Sequence, residues 1–208
     1  MPDFKKLFVK IYSAFIVNKQ KRHEVREILL LPDPNSPSSQ HTWCGRHTYF
    51  GSNFTRMHEQ STVGSFCSIG KNVAIGPSQH PIDWLSTAPF QYVEYKKLTE
   101  DQPILSYSYP PTVVENDVWI GNNAVIKDGI TVANGCIIAS NAVLTRDTEP
   151  YGIYAGVPAK LIRKRFSDDI IKDLLELKWW ELDDKIIATL PFNDIRRCIE
   201  ELKKIRKM

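Results

Sequence analysis

From Val63 onward the apolar residues follow neither the 3.6-residue spacing of a helix nor the alternation of a half-exposed strand. They return at every sixth position. Val63, Ile69 and Ile75 mark the beat, which stops after Gln79 and resumes as Val114, Ile120, Ile126, Val132, Ile138 and Leu144. A face that comes round every six residues needs short strands joined by regular corners, and an internal repeat of this kind is read first because it decides the fold. The fourth position of each hexad holds Phe66, Asn72, Ser78, Asp117, Asn123, Gly129, Gly135, Asn141 and Asp147; all but Phe66 are residues that tolerate or favour tight turns. The fifth position, Cys67, Val73, Gln79, Val118, Ala124, Ile130, Cys136, Ala142 and Thr148, is mostly small or β-branched, as a narrow interior shared with the lead aliphatic requires. The pattern predicts a parallel β-helix. Its coils gain stability by stacking, each roughly 4.8 Å above the last, because one coil cannot bury its own apolar face.

The flanks follow other patterns. Phe4, Leu7, Phe8, Ile11, Phe15 and Ile16 recur at helical spacing beside Lys5, Lys6 and Lys10, so residues 3–17 read as an amphipathic helix that packs against protein or lies on a membrane surface. LPDPNSPSSQ at 31–40 reads as a linker. Cys44, Gly45 and Thr48 fit an early coil, but Cys44 is out of phase with Val63, and a slip by a single position or a short bulge must intervene. After Gln79 comes a long interruption, His80 to Val113, rich in aromatics: Trp84, Phe90, Tyr92, Tyr95, Tyr107 and Tyr109. Loops this long in a compact repeat are usually functional. The repeats are expected to end near Glu149, and 150–166 to carry the chain out of the solenoid. Ser167 with Asp168 and Asp169 opens a helix bearing Ile170, Ile171, Leu174 and Leu175. Further short helices are marked by Ile186, Ile187 and Leu190, and by Ile195, Ile199 and Leu202. The expected organisation is an N-terminal helix and linker over 1–40, a β-helix over 41–162 interrupted at 80–113, and a helical cap over 163–208.

Composition narrows the functional classes. Among 208 residues, 27 basic and 24 acidic side chains leave a net charge of +3, too mild to argue for nucleic acid. Cys44, Cys67, Cys136 and Cys198 lack the close pairing of a zinc or redox motif, and two of them occupy the inward fifth position. They read as packing residues in a reducing compartment. No apolar run approaches the roughly 20 residues of a membrane span, and no signal-peptide cleavage pattern follows the first patch, so a cytoplasmic protein is expected.

The hexads, the loop opening HPIDWLSTAPF, the string VWIGNNAVI, the exit AGVPAKLIRKRF and the stretch LLELKWWEL together resemble the xenobiotic acetyltransferase branch of the hexapeptide-repeat acyltransferases, over about residues 44 to 190. That branch includes chloramphenicol and streptogramin acetyltransferases and relatives that acetylate sugars. The resemblance implies a mainly β protein, a left-handed parallel β-helix with a long extruded loop and a C-terminal helical cap. It also implies a homotrimer with active sites between neighbours and coenzyme A along the solenoid. His80 stands at the catalytic position. Trp119, Gly121, Ala139, Gly156, Pro158 and Lys160 match positions toward coenzyme A.

An alcohol is a poor nucleophile, and transfer from a thioester needs its proton removed as the new bond forms. Histidine, titrating near pH 6.5, can take that proton and return it to the departing thiolate. No GxSxG elbow is present, which favours direct transfer from acetyl-CoA over an acyl-enzyme. A turn histidine before Pro81 is the plain alternative for His80. Asp83 orients the imidazole or binds acceptor, unless it only serves the turn. Trp84 offers a flat face to a sugar ring, with Ser86 and Thr87 beside it to pair with hydroxyls. The loop opening is more like that of the sugar-directed relatives, so the expected acceptor is a hydroxyl of a sugar or polysaccharide precursor. The alternatives are an antibiotic acceptor and a noncatalytic trimeric scaffold. A zinc lyase of the γ-carbonic anhydrase type needs three converging histidines; only His80 borders the hexads, so no metal is expected.

Overall fold

The computed structural model describes residues 44–51, 61–77, 79–108 and 110–207. The segment 3–17, the linker 31–40 and His23, His41, His58, Ser78 and Tyr109 lie outside them. Each hexad contributes a short strand. β1 (Tyr49–Phe50), β2 (Thr62–Val63), β3 (Ser68–Ile69), β4 (Ala74–Ile75), β5 (Val113–Val114), β6 (Trp119–Ile120), β7 (Val125–Ile126), β8 (Thr131–Val132), β9 (Ile137–Ile138) and β10 (Val143–Leu144) wind in succession through three sheets. The first sheet is β2-β5-β8, the second begins β1-β3-β6-β9, and the third is β4-β7-β10, all paired in parallel. This is the parallel β-helix that the hexads predict, of the left-handed class that the resemblance implies. The lead aliphatics from Val63 to Leu144 are all buried in one core. Of the fifth-position residues, only Gln79 and Thr148 are not buried, and Gln79 stands just before the insertion.

Register locates every irregularity. Later coils stack three hexads apart, as in Trp119↔Ile137 and Val125↔Val143. Between the first two coils the pairings Cys44↔Val63 and Phe50↔Ile69 are longer by a single position. Across the insertion Ser68 pairs with Trp119 and Thr62 with Val113, so Val113 already belongs to the coil and the interruption runs from His80 to Thr112. The expected exit is corrected: the parallel ladder does not end at Glu149, because β11 (Gly152–Gly156) pairs with β9. The chain then turns back as β12 (Ala159–Lys164), antiparallel to β11, and this hairpin finishes the second sheet. The turn residues of the exit serve that hairpin.

The corners stack into columns. His47, Phe66, Asp117, Gly135 and Tyr151, all at positive φ, form the first, between the first and second sheets. Each level is tied to the one below, for example Asp117 N–H to Ser65 O at 2.9 Å and Tyr151 N–H to Asn134 O at 2.8 Å. Left-handed backbone costs a Cβ-bearing residue roughly 1–2 kcal/mol, so the bulky Phe66 and Tyr151 need a reason. Tyr151 is buried against Phe166; Phe66 is secured by two rings. Its ring packs 4.9 Å from His47 and 4.8 Å from Trp179, centroid to centroid. The second column is an asparagine ladder: Asn72 Nδ2 donates to Asn123 Oδ1 at 3.2 Å, and Asn123 Nδ2 to Asn141 Oδ1 at 3.3 Å. At the third corner, between the third and first sheets, the inserted loop leaves and returns.

The helical cap docks on the first column. α1 (Asp168–Leu177) turns Ile170, Ile171, Leu174 and Leu177 inward, with Leu175 only partly buried. Ser167 stands at its N-cap, although its side chain caps no N–H. α2 (Asp184–Ile187) and α3 (Ile195–Lys207) complete the cluster with Ile187, Leu190, Cys198, Ile199 and Leu202. Arg165 binds Asp117 Oδ2 at 2.9 Å and Gly135 O at 2.7 Å. Arg46 and His47 both engage Asp184, the latter at 2.9 Å. Burial pushes the thiols of Cys44 and Cys67 up to about 11 and about 12, in keeping with packing roles. No described helix is long and apolar enough to cross a membrane.

Candidate active site

His80 is the first residue of the insertion and is exposed at the third corner. Its Nδ1 lies 2.6 Å from the carbonyl oxygen of Thr87, inside the same loop. A carbonyl can only accept, so the ring hydrogen sits on Nδ1 and the lone pair on Nε2. The Tyr92 hydroxyl stands 2.9 Å from the same Nδ1, where it shares that hydrogen. Among the described residues Nε2 has no hydrogen-bond partner, which is the state a general base needs. The geometry is made locally: Pro81 is buried under the turn, and Ser86 Oγ accepts from Ala88 N–H at 3.1 Å just past Thr87.

Aromatic rings form the wall beside this imidazole. Trp84 meets Tyr92 and Tyr107 edge to face at 5.9 and 5.7 Å, and Tyr92 and Tyr107 lie 4.9 Å apart. Such pairs hold one another by ring geometry as well as by burial. Partial burial, then Tyr92, Asp128 and Asp83, push the Tyr107 phenol above its ordinary range. Short 3-10 turns at Pro89–Gln91 and Glu94–Lys96 fold the middle of the loop, and Gln102 Nε2 donates to Phe90 O at 2.7 Å across it. Ile82 and Leu85 project into solvent beside the wall. Asp83 is exposed and makes no hydrogen bond to His80; the orienting contacts come from Thr87 and Tyr92 instead.

The residues matched to coenzyme A stand elsewhere. Trp119 points out of the second sheet, 53% exposed, between Ser68 and Ile137 of adjacent coils. Beside it lies a hollow of about 240 Å³ bounded by Ser68, Ile137 and Arg165. Gly121 is buried, and a Cβ there would come 2.5 Å from Ser140 N, so close stacking of coils accounts for its being glycine. Ala139 is half-buried on the same sheet and donates its N–H to Tyr154 O at 2.9 Å. Gly156, at φ +97, and Pro158 make the exposed tip of the β11–β12 hairpin, with Lys160 exposed just after it. Trp119 and Lys160 thus share the second sheet. The third corner is the vertex opposite that sheet, so a single protomer does not bring them to His80. A cleft of about 380 Å³ under the cap, lined by Tyr151, Arg165 and Phe192 among others, belongs to the first corner and is also remote from His80.

Sequence reasoning reads Thr87 only for its hydroxyl and passes over Asp128. A backbone carbonyl leaves no mark in a sequence. For Asp128 the available signal is Gln79, a polar side chain in an inward position that calls for a buried partner.

A family model described as bacterial transferase hexapeptide (six repeats) matches residues 111–146. Among curated relatives, a chloramphenicol acetyltransferase of Agrobacterium fabrum (strain C58 / ATCC 33970) is 46% identical over 59% of this chain and 60% of its own. A probable macrolide acetyltransferase of Lysinibacillus sphaericus is 41% identical over 67% of this chain and 80% of its own. A virginiamycin A acetyltransferase of Staphylococcus aureus is 41% identical over 70% and 68%. The match spans about three fifths of the first of these relatives.

Proposed function

The chain belongs to the hexapeptide-repeat transferases, in their xenobiotic acetyltransferase branch, and from that premise we propose that it transfers acetyl from acetyl-CoA to a hydroxyl of an antibiotic. His80 is the general base. Its Nε2 takes the hydroxyl proton as the oxygen attacks the thioester carbonyl, and the proton then goes to the departing coenzyme A thiolate. Thr87 serves by holding Nδ1–H, which keeps the lone pair on Nε2 and steadies the imidazolium formed in passing. That contact is the observation that carries the reading.

An aromatic wall of three mutually packed rings suits an apolar drug better than a polar saccharide, whose hydroxyls would call for more free polar partners than Asp83, Ser86 and the Thr87 side chain supply. The named relatives at 41% and 46% identity point the same way. The saccharide acceptor, expected from the loop opening, is therefore the second reading, favoured by Trp84 in the ring wall and by the exposed Asp83 next to it in the chain.

For the donor, Trp119 with its adjacent hollow offers an apolar platform, and Lys160 on the same sheet a cation for phosphate. Because these lie opposite the protomer's own His80, the donor they hold would serve a neighbour's base, which is the physical case for a trimer with shared sites.

The test is an acceptor panel with purified protein and acetyl-CoA, following free thiol across chloramphenicol, virginiamycin, a macrolide, galactosides and nucleotide sugars. Turnover of an antibiotic is expected, and His80→Ala should lower it about 10²-fold or more while leaving the melting temperature in place. Turnover confined to saccharides would move the assignment to the second reading. Thiol release from none, with no acetyl-CoA bound, would leave a scaffold.

A further inference from the structure

The root of the inserted loop contains a buried acid that the acetyl-transfer chemistry does not use. Asp128 is 6% exposed, in the turn between β7 and β8 one coil above the point where the loop departs. Its Oδ1 accepts from Gln79 Nε2 at 2.6 Å, and Gln79 is the residue immediately before His80. The returning limb of the loop is tied to the same turn. Gly129 N–H donates to Thr112 Oγ1 at 3.1 Å, Thr112 Oγ1 donates to Lys127 O at 3.3 Å, and Pro110 packs so closely on Gly129 that a Cβ there would approach to 2.5 Å. Lys127 Nζ, 3.8 Å from the carboxylate, is the cation facing it, and Tyr107 is near enough for its phenol to feel the charge. The turn 127–129 thus holds both limbs, and Asp128 is its only contact with the departing one among the described hydrogen bonds.

The departing limb needs that contact. At most other fifth positions the next residue opens the next strand, whose ladder fixes the backbone. After Gln79 the next strand of the ladder is β5, at Val113, so the main chain at His80 would be held only by the loop's own turns. A short bond from a charged, desolvated acceptor is the strong kind, and groups at a site must be held to within about 0.5 Å for the chemistry to proceed.

We propose that Asp128 is a positioning residue for His80: its buried carboxylate grips the Gln79 side chain and so fixes the backbone from which the imidazole projects. The proposal rests on the reading of His80 as the base, but it concerns the anchor and not the acceptor.

The experiment compares the full-length protein with Asp128→Ala, Asp128→Asn, Gln79→Ala and the Asp128→Ala/Gln79→Ala pair. Kinetics with acetyl-CoA and chloramphenicol are read beside the imidazole resonances of His80 by NMR, assigned with His80→Ala. Asp128→Ala should lower kcat about tenfold with KM for acetyl-CoA within about twofold, and broaden or split the His80 signal. Gln79→Ala should do the same, the double variant no worse than either single one, and Asp128→Asn, whose Oδ1 still accepts from Gln79, should recover most of the loss. A folded Asp128→Ala with wild-type kcat and an unchanged His80 signal would overturn the proposal, as would losses that multiply in the double variant. Should Asp128→Ala not fold, Gln79→Ala decides alone. A wild-type protein that acetylates nothing on the panel sinks the functional reading, and the His80 resonances still decide the anchor.

Discussion

Two corners of the same triangular coil are put to opposite uses. At the first, side chains of successive levels face the cap, and Phe66, Asp117 and Tyr151 each meet Trp179, Arg165 or Phe166 there. At the third, the chain abandons the coil at His80 and returns in register at Val113. The backbone ladder does not register the detour: Gly64 N–H reaches Val114 O at 2.7 Å and Gly76 N–H reaches Ile126 O at 2.8 Å across it. Each coil is stabilised by the levels above and below rather than by its own continuity. One corner can therefore be opened for chemistry without loosening the core.

The sharpest break in this comparison is to remove the loop. Excising His80 to Thr112 joins Gln79 to Val113 and restores the ordinary offset of three hexads per coil across the junction. The shortened chain should keep its β-rich circular dichroism and a cooperative melt, and lose all acetyl transfer. A chain that fails to fold would mean that the insertion is part of the solenoid's stability, and the two corners would then not be independent.

That independence also explains what can be read from residues. The hexads predict their strands, the buried leads and the slip before Val63, because each depends on a local repeat that stacking only repeats. Phe66 does not look like a corner residue. It holds a left-handed φ because the ring is secured by Trp179, far along the chain, and no local rule carries that information. The stretch 150–166 reads as the chain leaving the solenoid for a similar reason: β11 finds its partner β9 only after the coil has formed. At the site, His80 is legible from its place at the break in the beat, and the aromatics from their density. The identity of its orienting group is not, since Thr87 acts through a backbone carbonyl. Gln79 is legible as an anomaly but not as a tether, because its partner Asp128 lies nearly one coil of chain and a whole loop further on.

A smaller effect sharpens the comparison at the first corner. Phe66→Asn supplies the residue type that the second column uses at positive φ, easing the backbone by up to about 1 kcal/mol. It also removes a half-buried ring from Trp179, His47 and the Arg46 guanidinium. Loss of packing should win, for a net destabilisation of about 1–2 kcal/mol, measured by urea unfolding. Because Phe66 also lines the hollow beside Trp119, any effect on acetyl transfer should fall on KM for acetyl-CoA, with kcat unchanged because the third corner is untouched. A fall in kcat without loss of stability would show that the cap acts on the third corner.

The smallest effect concerns charge at the same corner. Burial raises the Asp117 carboxyl above its ordinary 3.8, although Arg165 beside it acts in the opposite direction. Desolvation outweighs the ion pair here, as it can for a pair whose side chains are each only 25% exposed. The sign follows from proton uptake. Between the ordinary and the raised value the folded protein binds more proton at this group than the unfolded chain does, so acid favours folding through Asp117. Its contribution is greatest below the ordinary value and is lost as pH rises through the folded one. Asp117→Asn keeps an oxygen to accept from Arg165 and removes the titration. The difference in unfolding free energy, wild type minus variant, should therefore grow in favour of the wild type as pH falls from 7 toward 4. No comparable drift is expected between wild type and Phe66→Asn, which removes no titrating group. A wild-type advantage that shrank on acidification would mean that Arg165 governs Asp117, and that the cap is held to the first corner by an ion pair stronger than the burial opposing it.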